Sequence, residues 1–103
     1  MKEIYIFNKE YDETTLVNER IITKAYEDWE EAKKFFLKDV EEERIDFINK
    51  SKENRFEYYE ENDRNDKDKI YEFVIYEEGN YIMNHVRIKL TKVNLIEYFE
   101  KDL

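Results

Sequence analysis

The chain has 103 residues, of which 44% are charged, and it has a formal net charge of −9, no cysteine, no proline and a single glycine. The lack of cysteine excludes a disulfide framework, a thiolate zinc site and a thiol nucleophile. The negative charge disfavours direct binding to nucleic acids or anionic membranes and favours a basic partner. This length, without repeats or linkers, predicts one domain over residues 1–103.

The first elements in chain order are predicted to be strands. Residues 2–8 (KEIYIFN) alternate isoleucine with aromatic side chains, which is typical of a β-strand. Residues 10–15 are polar and predict a turn or loop. Residues 19–25, with several β-branched side chains, predict a second strand.

A long helix is predicted to follow. Asp28 and Glu31 have the spacing of a capping box, in which both side chains satisfy backbone N–H groups at a helix start. Apolar or small side chains then recur at helical spacing, namely Trp29, Ala32, Phe35, Phe36, Val40, Phe47, Ile48 and Ser51. An unbroken helix to Asn62 would be about 52 Å long, whereas a compact domain of this size has a radius of gyration of about 13 Å. The helix must therefore either project from the domain or break, and the polar stretch 49–54 is the favoured place for a break before a second helical segment.

The last third of the chain predicts a loop, a hairpin and a short helix. Residues 62–69 (NDRNDKDK) predict the loop. Residues 70–76 and 81–91 predict paired strands around a turn over 77–80, with Val86, Ile88 and Leu90 on one face and His85, Arg87 and Lys89 on the other. Asn94 is the predicted cap of a final helix carrying Leu95, Ile96, Tyr98 and Phe99.

These elements predict an α+β fold of order β-β-α-(α)-β-β-α. We expect an antiparallel sheet of about four strands, with the long central helix packed on one face. The nine Tyr, seven Phe and one Trp would supply much of its core, because each buries a large area.

No residue pattern predicts catalysis, cofactor binding or a metal site. The one histidine, His85, could act as a lone general base, but a histidine on a polar strand face more often has a structural or neutral role. The loop at 63–69 has Lys67 and Asp68 where a calcium loop needs a ligand and a glycine. With Gly79 as its single glycine, the chain has no glycine-rich phosphate loop.

The charge distribution points to a binding surface. Residues 27–68 hold 16 acidic and 9 basic residues, which places −7 of the net charge in the central segment. Within it, Glu57 and Glu61 are a like-charged pair at helical spacing, which would destabilise a helix. The predicted partner-binding residues are Glu57, Tyr58, Tyr59, Glu60, Glu61 and Asp63. The alternative is a solvated helix whose aromatic residues reach the core, with the charge serving solubility.

In overall style the chain resembles the small acidic phage-encoded anti-defence proteins, anti-CRISPR proteins above all. The likeness rests on a short cysteine-free chain, rich in Glu, Lys, Asn, Ile and Tyr, with excess negative charge and no enzyme motif. It covers the whole chain and specifies no residue. The resemblance implies a protein that occupies the nucleic-acid groove of its partner or locks the moving domain of a nuclease. Small acidic antitoxins and nuclease immunity proteins have the same style and would act by the same physical means.

The leading hypothesis is therefore a non-enzymatic inhibitor of a basic, nucleic-acid-handling protein, acting by stoichiometric contact in the cytoplasm of a bacterial host cell. Residues 1–10 lack the apolar segment of a signal peptide, which agrees with that location. A structural protein that forms a homodimer through its long helix is the second hypothesis. An enzyme, such as a metal-dependent one, is the third.

Overall fold

The computed structural model describes residues 2–13, 20–54, 57–78 and 84–94. These residues form five strands and one helix, which are β1 (Glu3–Glu13), β2 (Arg20–Tyr26), α1 (Trp29–Asn54), β3 (Glu57–Asn65), β4 (Ile70–Glu78) and β5 (Asn84–Asn94). The predicted α+β class is confirmed, with five described strands rather than about four. None of the described helical residues form a segment with the length and apolarity that a membrane span needs.

The five strands form one antiparallel sheet in the order β2-β1-β5-β4-β3. Because β2 and β3 lie at opposite edges, α1 must carry the chain across one face of the sheet. Its 26 residues span about 39 Å, which fits within the longest dimension of 50 Å. We call the face beneath α1 the inner face and the opposite one the outer face.

The core lies between α1 and the inner face of the three central strands. The fully or nearly buried apolar side chains are Tyr5, Phe7, Ala32, Phe36, Val40, Phe47, Tyr71, Phe73, Ile75, Val86, Ile88 and Leu90. The predicted apolar stripe of the helix is thus confirmed as the face that packs on the sheet. Tyr71 joins the two layers, since its ring centroid lies 5.2 Å from that of Trp29 and 5.4 Å from that of Phe36.

The first strand is longer than predicted, and the predicted loop at 10–15 is wrong over its described part. Strand β1 continues to Glu13 because Tyr11 keeps the inward alternation and is paired on both sides, with Arg20 of β2 and Val86 of β5.

The second strand is confirmed, one residue later than predicted. Helix α1 begins directly after Asp28, whose carbonyl oxygen accepts a hydrogen bond from the Ala32 N–H at 3.0 Å.

The predicted helix break at 49–54 is also wrong, because α1 runs through these residues to Asn54. They are polar because they lie mostly on the solvent side of the helix, and local contacts support the helical turn there. Lys50 Nζ lies 3.0 Å from Asp46 Oδ2, one turn earlier on the helix. Ser51 Oγ donates to the Ile48 carbonyl oxygen at 2.8 Å.

The segment after α1 is a strand, not the predicted second helix and loop. Strand β3 pairs with β4 along its whole length, from Glu57 opposite Glu78 to Asn65 opposite Ile70. Its sequence lacks apolar alternation because an edge strand can expose both faces. Residues 66–69 turn the chain into β4, and Asn65 Oδ1 accepts from the Asp68 N–H at 2.9 Å.

The final hairpin is confirmed in its core and corrected at its ends. Val86, Ile88 and Leu90 are buried while Arg87 and Lys89 are exposed, as predicted. Strand β4 includes the residues at 77–78 that were predicted as turn, and β5 includes the residue at 94 predicted as a helix cap. The rest of that turn and the predicted helix at 95–99 lie outside the described residues.

Candidate functional site

All six predicted partner-binding residues lie on the edge strand β3. Every residue of β3 is exposed except Tyr58, which is half-buried against the core. The predicted helical surface is therefore corrected to an extended one. Because side chains alternate along a strand, the six residues divide between the two faces of the sheet.

Two of the six, Tyr58 and Glu60, lie on the inner face. Glu60 Oε2 accepts from Arg44 Nε of α1 at 2.8 Å, and Arg44 also contacts Glu41 on its own helix. The Arg44 guanidinium lies 5.5 Å from the ring centroid of Phe73. This contact fastens the edge strand to the helix, so Glu60 holds β3 in place and has its charge compensated.

The other four, Glu57, Tyr59, Glu61 and Asp63, share the outer face. The Tyr59 ring stacks on that of Tyr76 in β4, with centroids 5.5 Å apart and planes at 23°. Tyr59 Oη also donates to Glu57 Oε2 at 3.0 Å. Across the described part of the chain, Glu61 and Asp63 have no cation within ion-pair distance. This set, which we call the outer edge, combines a rigid aromatic pair with uncompensated carboxylates.

The strand register makes the outer edge electrostatically unfavourable. Asp63 lies directly opposite Glu72 of β4. Like charges in directly opposite positions destabilise a sheet by a few tenths of a kcal/mol, in the range of about 0.2–1 kcal/mol. Glu72 has cations on its other side, since Arg87 Nε lies 4.0 Å from Oε1 and Lys89 is its register partner on β5. These cations compensate Glu72, whereas Asp63 has no cation within ion-pair distance among the described residues.

A shallow polar groove occupies the middle of the outer face. It has a volume of about 240 Å³ and is lined by Asn8, Glu10, Glu72, Arg87 and Lys89. The cations and carboxylates alternate from strand to strand, so the groove has balanced charge. It separates the acidic outer edge from the opposite side of the sheet.

A second charged cluster lies in the interior, and sequence reasoning missed it. The Lys9 cluster consists of Lys9 and Tyr11 on β1 with Asp39 and Glu43 on α1. Lys9 Nζ lies 2.6 Å from Glu43 Oε1 and 2.9 Å from Asp39 Oδ2. Tyr11 Oη donates to Glu43 Oε1 at 2.6 Å. The side chains of Lys9, Glu43 and Asp39 are only 8%, 12% and 15% exposed.

The chemistry of the Lys9 cluster is that of an anchor. Burial alone would lower the pKa of Lys9, but hydrogen bonds with Glu43 and Tyr11 and the adjacent Asp39 carboxylate outweigh it and raise that pKa above its ordinary value. The Asp39 Oδ2 atom is buried without a well-oriented hydrogen bond and interacts with Lys9 through charge. Lys9 is therefore held as an ammonium ion, which is a poor nucleophile, and it ties α1 to β1.

Two sequence patterns together, the strand alternation of β1 and the helical spacing of α1, could have revealed this cluster. Lys9 occupies the inward series 5, 7, 9 and 11 of β1, where an apolar residue is expected. Asp39 and Glu43 are four residues apart on α1 and flank the buried Val40, so both carboxylates lie beside the core stripe. A cation at an inward strand position opposite such a pair predicts a buried ion pair.

Tyr71 makes the stability of the fold sensitive to alkaline pH. Burial and a hydrogen bond from Tyr71 Oη to the Asp66 carboxylate raise the pKa of Tyr71 from 10.0 to about 12. Since the folded-state pKa is the higher one, this stabilisation is complete below about pH 10 and is lost as the pH rises toward 12. Each pKa unit corresponds to about 1.4 kcal/mol, so we expect a loss of about 2–3 kcal/mol in unfolding free energy from Tyr71.

The measurement is urea denaturation at a series of pH values from about 8 to 12. The variant Tyr71→Phe should show a flatter decline than the parent chain, whereas Tyr76→Phe, on the outer face of the same strand, should decline like the parent. A Tyr71→Phe variant with the parent's pH profile would contradict the assignment.

Within the described residues, no three side chains among His, Asp and Glu come together in an arrangement that could hold a metal ion. The backbone of His85 lies opposite Tyr76 of β4, and the His85 side chain is outside the described part of the structure. No protein-family model, no curated protein and no solved structure matches this chain.

Proposed function

We propose that this protein is a non-enzymatic inhibitor that binds a basic, nucleic-acid-handling protein, such as a bacterial defence nuclease, through the outer edge of β3. The contact is stoichiometric, one inhibitor to one partner. An antitoxin or an immunity protein would use the same surface against a basic toxin, so the partner's class distinguishes these roles.

The observation that supports the proposal is the uncompensated charge of β3. The strand carries four carboxylates and a single cation, Arg64, and only Glu60 is paired to the body of the protein. Asp63 lies opposite the like-charged Glu72, whose own cation is Arg87, so the charge of Asp63 lowers stability without a visible structural return. Such a local conflict is expected where a surface serves binding, because a cationic partner would relieve it.

The aromatic pair adds the second component of a binding surface. Tyr59 is 40% exposed and is held rigid by its stack on Tyr76. Tyrosine is enriched among the residues that contribute most to interfaces, since it buries a large area at a low cost in side-chain entropy. Carboxylates around an aromatic centre would combine steering by charge with a contact that holds the complex.

The test uses the protein that this chain captures from a bacterial lysate and measures how tightly that partner binds charge-reversed variants of this chain. The double variant Glu61→Lys with Asp63→Lys should weaken binding by at least about tenfold, because it turns attraction into repulsion at the contact. The matched control, Glu42→Lys with Glu53→Lys, makes the same change in net charge on the solvent side of α1 and should leave binding within about threefold. Calorimetric titration measures both affinity and stoichiometry.

Salt dependence supplies the second arm of the same test. Raising the ionic strength from about 0.1 M to 1 M shortens the Debye length from about 10 Å to 3 Å, so the affinity should fall steeply. Equal weakening by the β3 variant and the α1 control would overturn the assignment of the surface. Affinity that is unchanged by salt would overturn the charge-based mechanism itself.

The alternative, a homodimer formed through the long helix, would need an exposed apolar stripe on α1. The apolar stripe of α1 is buried against the sheet, and on its solvent side the large apolar side chain that is exposed is Ile45. Tyr58 and Tyr59, in the segment that was predicted to be helical, lie on β3 instead. Light scattering at micromolar concentration would reveal such a dimer directly.

A further inference from the structure

Strand β3 has, besides its charged face, a backbone edge that pairs with no described strand. One side of the strand is hydrogen-bonded to β4 over nine consecutive positions. In an antiparallel strand every second residue directs its N–H and C=O groups to the other side. The order of the described strands ends at β3, and all its side chains except Tyr58 are exposed, so no described element covers that side. An edge of this length that no described element covers is a template for a further strand.

The opposite edge of the sheet does not offer the same template. Strand β2 has seven residues, and among its described side chains Lys24 is charged and exposed and lies over the ring of Phe35, with Nζ 4.2 Å from the ring centroid. A lysine on an edge strand is a common guard against added strands, and it repels a basic one. The two edges thus differ in length and in sign of charge, which selects β3 for a cationic segment.

The charge of β3 also selects among possible occupants. A second copy of β3 would bring its carboxylates close to those of the first, and like charges on adjacent strands oppose pairing. A basic segment would instead face Glu61 and Asp63, which have no cation in the described structure. Charge complementarity therefore favours a foreign basic strand over a second copy of this chain.

We infer that the partner contributes an extended segment, with Lys or Arg at every second position, which adds to β3 as a sixth strand of the sheet. This inference rests on the proposed function and specifies how the contact is made. Main-chain hydrogen bonds supply affinity in such strand addition, and alternate side chains supply specificity.

The alternation follows from the two faces of β3. On the outer face, Glu61 and Asp63 are two residues apart and thus about 7 Å apart along the strand, which matches cations at alternate positions of an added strand. On the inner face, Glu60 already binds Arg44. A cation there would be opposed by Arg44, so a neutral side chain fits better. The Tyr59 and Tyr76 stack can receive the methylene stem of a Lys or Arg.

The probes are nine-residue capped peptides, equal in length to β3. An alternating peptide (TKTKTKTKT) and a blocked peptide (TTTKKKKTT) have the same composition and charge. Strand addition predicts that the alternating peptide binds the full chain at least about tenfold more tightly at low salt, since it alone can set each cation against the outer edge. Attraction by net charge alone predicts equal affinities.

Backbone methylation tests the hydrogen bonds separately from charge. In one form of the alternating peptide the Lys amides are N-methylated, and in the other the Thr amides are. Because alternate residues direct their N–H groups to opposite sides, strand addition predicts that one form loses binding and the other keeps it. Hydrogen exchange should show new protection at every second amide of β3.

The outcomes distinguish failure of the strand-addition inference from failure of the proposed function. Equal affinities for the alternating and blocked peptides, or equal effects of the two methylated forms, would overturn strand addition and leave the charge-based binding intact. Failure of both peptides to bind would also overturn strand addition. If the Glu61→Lys and Asp63→Lys variant then also bound the captured protein partner normally, the proposed function would fall with it.

Discussion

Replacing Lys9 by methionine should lower the free energy of unfolding by about 3–5 kcal/mol. The ammonium group of Lys9 lies between Asp39 and Glu43 and is 8% exposed. Removing it leaves two carboxylates that are poorly solvated and that repel each other across a low-dielectric gap. Uncompensated buried charge of this kind is among the few single-residue changes with effects this large.

Urea denaturation of three variants checks the assignment. The control is Lys2→Met, which removes an exposed ion pair with Glu27 and should leave the stability almost unchanged. A combined variant, Lys9→Met with Asp39→Asn and Glu43→Gln, should recover part of the loss because it removes the buried charge altogether. A Lys9→Met variant as stable as Lys2→Met would show that the cluster does not anchor α1.

The second large effect is expected at Phe36. Its side chain is fully buried at the centre of α1 and packs edge-on against the ring of Tyr71. Truncation to alanine removes the transfer free energy of the ring and leaves a cavity that the sheet cannot close. We expect Phe36→Ala to destabilise the fold by about 3–5 kcal/mol, with an unchanged dependence on urea concentration if unfolding stays two-state.

Ile45→Ala is the matched control on the same helix. Ile45 is 56% exposed on the solvent side of α1, so its truncation should change stability by no more than about 0.5 kcal/mol. Similar losses for the two variants would mean that the apolar stripe of α1 is not the face packed on the sheet. That result would also remove the structural basis for placing β3 at a free edge.

The stability of α1 also matters for the proposed binding surface on β3, because α1 holds β3 in place. Arg44 links α1 to Glu60 on the inner side of β3, and Phe73 beneath it belongs to the core. The inner face of the strand is thus fixed to the body of the protein, while its outer face and backbone edge stay open. A rigid support of this kind reduces the entropy lost when a partner binds.

The sequence correctly predicted the helix and the strands that bury one face, because burial places apolar residues at regular intervals. The long helix, the hairpin faces around Ile88 and the first two strands were recognisable because the core imposes a repeat of 3.6 or 2 on the apolar residues. The end of α1 was not recognisable, since residues 49–54 are mostly solvent-facing and their polarity is compatible with either helix or loop.

The error over residues 57–65 has a different cause. An edge strand with almost every side chain exposed has no apolar alternation, so the segment's composition alone resembles a charged helix. Its extended form is decided by pairing with β4, a tertiary contact that no local propensity reports. The Lys9 cluster was missed for a related reason, because its contacts between β1 and α1 join residues at least 30 positions apart, which meet only when α1 crosses β1.

The sequence by itself determined that this chain is acidic, free of cysteine and rich in aromatic residues, and that its negative charge is concentrated between residues 27 and 68. It also determined the α+β class, because helical and strand periods both occur in it. Only the tertiary structure decided where that charge lies. Pairing of β3 at the sheet edge converts a polar segment into a straight strand, and the alternation of its side chains places Glu57, Glu61 and Asp63 together on one open face.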